Sequence, residues 1–501
     1  MQTNFITKAK SLYDSFKENK EYILKKILPT SLMLLITIFI YSVVRGAKDS
    51  LLIPVLGAEV ISTVKLFGVL PSAIVFIVIY SKLANILSRE RLFYSITLFF
   101  ITFFALYAFC IYPISDSLNL DLKDWIAEFP RLKYPLIILE NWGAALFFIM
   151  SELWGSVMLS LMFWQFANHI YKVSEAKKTY TIFGALGQVG LFCAGYAQKY
   201  FSVANAGRVD HVQAWQETLQ LMMTTVFIAG LILMAIFWYM NRYVLTDPRF
   251  FDANAEVKKK KSKPKMSLID SFKYIFTSKY IGLIAVLVLS YGVSINLVEG
   301  VWKNQLKIQY PIQNDYSAFM GSFQMWTSFV SGFGMIVGVY ILRNFKWRFA
   351  AILTPLMILI TGVIFFLLIL AGNRFEESLA LMGTTSLMMA VIMGATQNIL
   401  SKATKYSLFD STKEMAYIPL DDELKVKGKA VVDVTGARLG KSGGAVIQFL
   451  LLSLIPGASL STLTEEILYM FLAIMVCWIL AVYSLSKLFE EKMQESSAKS
   501  E

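Results

Sequence analysis

Roughly twenty consecutive mostly apolar residues are enough to cross a bilayer as a helix, and this 501-residue chain contains twelve such stretches. They fall near 30–47, 60–83, 92–114, 135–166, 179–202 and 217–240, and again near 280–302, 317–341, 347–371, 378–400, 437–457 and 464–487. Apolar residues make up 56% of the sequence and charged residues 16%, against roughly 25% charged in soluble domains. Backbone groups in lipid have no water to bond, so each stretch must satisfy its own hydrogen bonds as a helix. The expected fold class is therefore an all-α integral membrane protein with twelve transmembrane helices.

The net charge of +12 is placed in a way that argues for topology rather than for nucleic-acid binding. Basic residues crowd alternate connections: the N-terminus, Arg89 and Arg91, then Lys172, Lys177 and Lys178, the loop 241–279, Arg343 to Arg348, and a loop taken as 402–429. The connections between them are not basic, and 115–134 carries Asp116, Asp121, Asp124 and Glu128. By the positive-inside rule both termini are expected in the cytoplasm. The first 28 residues mix lysines with Asp14, Glu18 and Glu21, so neither a signal nor a transit peptide is evident. That favours a multi-pass protein of a bacterial inner membrane over one of a plastid envelope. Cys110, Cys193 and Cys477 are unevenly spaced in apolar segments and read as packing residues. His169 and His211 are far apart and form no metal constellation, and no catalytic constellation or cofactor is expected.

The run Lys258 to Lys261, with Lys263 and Lys265, lies in the one substantial hydrophilic connection near the middle. It divides the chain into a cytoplasmic segment 1–29, a six-helix half 30–240, a basic linker 241–279, a second six-helix half 280–488 and a cytoplasmic tail 489–501. Six plus six helices about a central cytoplasmic loop is the layout of the major facilitator architecture. Its pseudo-twofold halves rock around a site near the membrane midplane.

Charges inside apolar runs are the candidate functional residues, because each costs roughly 2.5–3.5 kcal/mol to insert at a helix centre. Glu152 is the only acidic or basic residue between Glu140 and His169. Arg45 and Lys48 stand three apart near the end of the first run, on one helix face, where they suit either a multivalent anion or simple snorkelling. Glu299 lies three after Asn296 and four before Lys303, an arrangement equally suited to an internal ion pair and to a cavity-facing carboxylate. Arg438 and Lys441 are again three apart, in Gly436-Ala-Arg-Leu-Gly440-Lys-Ser-Gly-Gly444. This differs from an ATPase phosphate loop, with three residues between the glycines instead of four and no preceding strand. Its glycines suit an anion cradle or close helix packing. Gln397 and Asn398 can bond a base or glue helices together. Tyr291, Trp302, Phe163 and Trp164 are candidates for stacking on a base.

Seven strings carry a resemblance to a known family: Glu152-Leu-Trp-Gly-Ser156, Phe163-Trp-Gln-Phe-Ala-Asn168, Ser174-Glu-Ala-Lys177, Asn296-Leu-Val-Glu299, Lys405-Tyr-Ser-Leu-Phe-Asp410, Met415-Ala-Tyr-Ile-Pro-Leu420 and Arg438-Leu-Gly-Lys-Ser-Gly-Gly444. They resemble the ATP/ADP translocases of obligate intracellular bacteria and plastids, from about residue 30 to 490. The resemblance implies a functional monomer in the lipid bilayer that exchanges external ATP for internal ADP. It also implies that the charges important for transport fall on Lys48, Glu152, Glu299 and Lys441. Lys48 and Lys441, with Arg45 and Arg438, are then the expected phosphate ligands, and Glu152 and Glu299 the charges that balance them. Exchange of other ribonucleotides, GTP/GDP, CTP or UTP, or of NAD is the alternative, followed by a non-transporting scaffold and a membrane NTPase.

Overall fold

The computed structural model describes residues 20–171, 173–251, 278–374, 376–420, 429, 432, 437–455 and 457–498. Among these residues twelve helices of 18 residues or more follow one another. They are α1 (Lys20–Leu56), α2 (Val60–Ile86), α3 (Arg89–Leu118), α4 (Trp142–Ile170), α5 (Val173–Ala206), α6 (His211–Val244), α7 (Lys279–Gln309), α8 (Gln313–Asn344), α9 (Trp347–Leu370), α10 (Ser386–Thr404), α11 (Ala437–Leu454) and α12 (Thr464–Ala498). Nine of these, among the described residues, are long and apolar enough to cross a membrane by composition. The other three, α5, α10 and α11, are diluted by Gln188 and Gln198, by Gln397 and Asn398, and by Lys441 and Gln448.

Local chemistry sets the ends of these helices. Ser88, Asp210, Ser278 and Thr385 each accept a hydrogen bond from a backbone N–H in the first turn that follows, the usual way of satisfying the orphan donors there. Gly57 ends α1 with φ 98°, a left-handed backbone conformation that side chains resist. Two expected spans shift as a result. The segment expected at 378–400 is a short helix, Glu376–Leu381, then a turn through Gly383 (φ 73°), and only then α10, started by its Thr385 cap. From Thr404 the helical path continues through Lys405–Phe409 to Asp410–Ala416, so Lys402 and Lys405 belong to this helical path and not to the basic loop expected from residue 402. The segment expected at 135–166 breaks at Asn141, whose amide donates back to the Ile137 carbonyl. The three cysteines lie on exposed helix surfaces rather than in the packed interior.

The apolar interior forms two clusters. One is built from α1 and α3 to α6 around Phe104, Phe147, Trp154 and Trp215; the other from α7 to α12 around Trp302, Phe365, Phe471 and Trp478. The second cluster also takes in Leu52, Ile53, Val60, Ile61, Val64 and Phe148, so the halves share a core at the end of the bundle away from the basic loops. Hydrogen bonds hold that far end shut: Tyr134 Oη donates to the Ala458 carbonyl at 2.9 Å, and the Leu460 N–H to Glu59 Oε1 at 3.2 Å. A second seam runs between α5 and α8, where Gly195 and Gly321 let the backbones touch; a Cβ on either would lie 2.6 Å from the other's carbonyl oxygen. Beside it Gln198 donates to Ser317 Oγ at 3.1 Å, Ser202 to the same oxygen at 2.8 Å, and Gln324 to Gln198 Oε1 at 2.9 Å. Toward the basic-loop end the packing loosens, and residues Leu70–Ile86 of α2 bury no side chain.

Candidate functional site

Five helices bring charged and polar side chains together at the junction of the halves. From α1 come Arg45, Lys48 and Asp49; from α4, Glu152; from α7, Asn296, Glu299 and Lys303; from α2, Lys65; and from α10, Lys402. Two of these helices leave regular α geometry here. Lys65 sits in a π-helical segment, Val64–Val69, and Glu152 lies just before another, Gly155–Phe163. Such turns are frequent at functional sites because they break the register of a long helix. Gly155 opens the second one to Tyr41, whose ring would strike any Cβ at that position.

Six of these groups form an unbroken alternation of charge. Glu152 Oε1 meets Lys48 Nζ at 3.1 Å, Lys48 meets Asp49 Oδ1 at 2.9 Å, and Asp49 Oδ2 meets Lys303 Nζ at 2.9 Å. Lys303 then meets Glu299 Oε1 at 3.1 Å, and Glu299 meets Arg45 Nη2 at 3.8 Å. The middle of the chain is sealed, with Lys48, Asp49 and Lys303 side chains 3%, 2% and 4% exposed, whereas Glu152, Glu299 and Arg45 at its ends are 27%, 17% and 37% exposed. Phe148 closes over Lys48, its ring centre 3.7 Å from the ammonium. The Asp49 to Lys303 link joins the first half to the second. It survives burial because both ions have two partners of opposite sign, which offsets the cost of taking them out of water.

A small pocket adjoins this chain, lined by Ser62, Lys65, Asn296, Glu299, Lys303 and Gln448 among others. Lys65 donates to Asn296 Oδ1 at 3.2 Å, and Gln448 on α11 donates to the Asn296 carbonyl at 3.0 Å. Three carboxylates balance three cations within the chain, leaving Lys65 and Lys402 as extra positive charge among the described residues. The arrangement is suited to a polyanion that can take the place of carboxylates on the exposed ends.

Of the residues expected from sequence, Arg45, Lys48, Glu152, Asn296, Glu299 and Lys303 are brought together here, with Lys303 at the centre rather than the margin. The side chains of Arg438 and Lys441 lie outside the described residues. The backbone of that segment serves packing: a Cβ on Gly440 would lie 3.2 Å from the Gly292 Cα, and one on Gly444 2.5 Å from the Asn296 Cβ. Trp302 is not available to a base, since it is buried against Phe323 and donates to the Val391 carbonyl at 3.0 Å. Phe163 is likewise buried, against Phe183 and Trp164. Tyr291 stacks on Phe409 with ring centres 5.1 Å apart. Gln397 is fully buried with no partner for its amide among the described residues, and Asn398 donates to the Gly394 carbonyl. Asp49, Lys65 and Lys402 are the site residues that sequence reasoning left out.

Known proteins resemble this chain in fold and in sequence. The fold resembles a bacterial homologue of the iron transporter ferroportin in an inward-facing state, with TM-score 0.57 and 14% identity over 92% of this chain and 99% of that one. It also resembles a D-xylose-proton symporter, with TM-score 0.53 and 11% identity over 93% and 97%. The fold is thus that of the major facilitator transporters. In sequence the chain is 47% identical over 490 residues to ADP,ATP carrier protein 1 of Chlamydia pneumoniae, covering 95% of both. It is 45% identical to ADP,ATP carrier protein 1 of Rickettsia conorii, covering 92% and 93%, and 43% identical to the chloroplastic ADP,ATP carrier protein 2 of Arabidopsis thaliana, covering 95% and 77%. The family profile described as TLC ATP/ADP transporter matches residues 4–489, and the chain belongs to that family of membrane transporters.

Proposed function

We propose that this chain exchanges ATP for ADP by alternating access, with the phosphate chain of either nucleotide bound beside the ion chain of α1, α4 and α7, next to the pocket between α2, α7 and α11. The observation that carries the reading is the six-membered ion chain, in which an incoming anion meets Arg45 at one exposed end and reaches the buried Lys48 by displacing Glu152 at the other, while Lys303 and Asp49 tie the halves together. Lys48 and Arg45 bind phosphate together with Lys441 and Arg438 from the start of α11. Glu152 and Glu299 act as counter-charges in the empty carrier, since like charge excludes them as phosphate ligands. The halves 30–240 and 280–488 move about this site, with the basic-loop end and both termini in the cytoplasm of a bacterial cell, and a single chain suffices.

Obligate exchange follows from the cost of unpaired ions. Separating the halves at the far end of the empty carrier breaks the Asp49 to Lys303 link, and losing such a hydrogen bond between charged groups costs about 1.5–3 kcal/mol. A bound phosphate chain supplies replacement partners and lowers that barrier, so only the loaded carrier crosses readily. When ATP moves one way and ADP, with one negative charge fewer, moves the other, each cycle transfers one charge, worth about 2.3 kcal/mol per 100 mV. The test is uptake of labelled ATP, GTP, CTP or NAD into liposomes holding the purified chain, with and without ADP inside. ATP uptake that requires internal ADP is the expected result. Uptake unaffected by emptying the liposomes would refute exchange, and preference for another nucleotide would refute the adenine assignment.

A further inference from the structure

We propose that Lys402 recognises the terminal phosphate of a nucleoside triphosphate and so separates tri- from diphosphates at this site, an inference that rests on the reading of the cavity as a nucleotide site. Lys402 lies midway along the continuous helical path from Ser386 to Ala416, and it is half-buried. A cation at such a depth in a membrane helix is expensive and is normally paired. Every other described lysine of the site has a polar acceptor: Lys48 has Asp49 and Glu152, Lys303 has Asp49 and Glu299, and Lys65 has Asn296. Lys402 has none among the described residues. Its ammonium rests over the Phe323 ring, 4.6 Å from the centre, and that ring is held in turn by Trp302. An aromatic face positions a cation without neutralising it or using up its three N–H donors.

Its position fits a terminal phosphate. Glu299 interacts electrostatically with Lys65, Arg45 and Lys402, and Lys402 interacts with Arg45 and Glu299. Lys65 comes from the first half and Lys402 from the second, and both interact with the Glu299 of the Arg45 to Glu299 pair. That pair is the longest link of the ion chain, at 3.8 Å, and includes its most exposed cation. A phosphate chain that takes Arg45 from Glu299 enters the field of both cations. Lys65 already spends a donor on Asn296, whereas Lys402 is uncommitted. The three carboxylates of the chain offset its own three cations, so Lys65 and Lys402 are both surplus, and of the two Lys402 is the one with no polar acceptor among the described residues to give up for the added negative charge of a triphosphate.

The experiment is exchange by the full chain in liposomes loaded with ADP, with external ATP and ADP compared in the unaltered protein, Lys402→Gln and Lys402→Arg. Lys402→Gln should raise KM for ATP on the order of tenfold or more, the loss of one charge-assisted contact, with KM for ADP changed less than about twofold. Lys402→Arg should keep the unaltered ratio of the two KM values. Should Lys402→Gln not fold, Lys402→Met retains the length over Phe323 and is measured in its place. Melting temperature in detergent reports any purely structural role, which would lower stability without moving the ATP to ADP ratio. An equal change in both KM values, with the unaltered chain active, would overturn this assignment alone. Absence of ATP and ADP exchange by the unaltered chain would overturn the proposed function and this inference with it.

Discussion

Replacing Asp49 with asparagine tests whether the ion chain locks the far end of the transporter. Asp49 is buried and its two oxygens each lie 2.9 Å from an ammonium, Lys48 on its own helix and Lys303 across the junction. A hydrogen bond to a charged group contributes about 1.5–3 kcal/mol net. The Asp49→Asn side chain keeps the shape but loses the charge, and Lys48 and Lys303 fall back on Glu152 and Glu299, each 3.1 Å away. Of the two links that Asp49 makes, only the one to Lys303 crosses the junction and so depends on whether the far end is closed. The substitution should therefore shift that equilibrium by about 1.5–3 kcal/mol, or roughly 10- to 150-fold. The assay uses a single reporter, Ser62→Cys, which lines the cavity on the closed side, in a chain whose exposed Cys110, Cys193 and Cys477 are changed to serine. A membrane-impermeant maleimide applied from the far side should label the Asp49→Asn chain roughly 10- to 150-fold faster, in proportion to that shift. Labelling within about twofold of the unaltered rate, in protein that is folded and inserted, would refute the lock.

At the α5–α8 seam, Gly195→Val places a side chain 2.6 Å from the Gly321 carbonyl oxygen and 2.9 Å from the Met325 nitrogen, both backbone atoms that cannot swing away. It should cost at least about 1–3 kcal/mol, read as a lower melting temperature, and an unchanged melting point would refute the close approach. Glu152→Gln should slow counter-exchange while leaving ATP binding as tight as before or tighter. Binding weakened by about tenfold would sink its role as a counter-charge. Outside the membrane, hydrogen bonds from the Arg249 side chain hold the Asp247 carboxyl below the usual carboxylate range. A lowered acid stabilises the fold above its unfolded pKa near 3.9 and loses that contribution as pH falls through the folded value. Arg249→Gln should raise the Asp247 pKa in a carboxyl-carbon NMR titration, and an unmoved titration would show that the contact is not formed in solution.

Much of this was legible in the chain because lipid penalises charge so heavily. Lys48, Glu152 and Glu299 stand out as isolated ions in apolar runs, and the same rule singles out Lys65, which interrupts an otherwise uncharged stretch of α2. Asp49 was not legible as a site residue, since a neighbour at i+1 faces elsewhere on a helix and nothing local says that it reaches α7. Lys303 shows the same limit. Its spacing predicts the local pair with Glu299, whereas the contact with Asp49 exists only once the halves meet. Lys402 was hidden by a boundary. Apolar content alone starts the tenth span near 378, but Gly383 and the Thr385 cap delay the start and carry the helix past residue 402. The helical glycines of α11 left packing and anion binding both open, and only the distances to Gly292 and Asn296 decide for packing at Gly440 and Gly444.

The ion chain has an order, and order determines redundancy. From Glu152 to Arg45 it is a path of six groups in which each interior ion touches two neighbours and each end touches one. Removing either end leaves every remaining ion with a contact partner, and so does removing Asp49 or Lys303 at the middle. Only two deletions strand an ion: loss of Lys48 isolates Glu152, and loss of Glu299 isolates Arg45. Those two positions cannot be covered by a neighbour, whatever the strength of the individual links. A substitution scan of the six should therefore find its severest folding defects one step in from each end, at the two sites where the path has no detour.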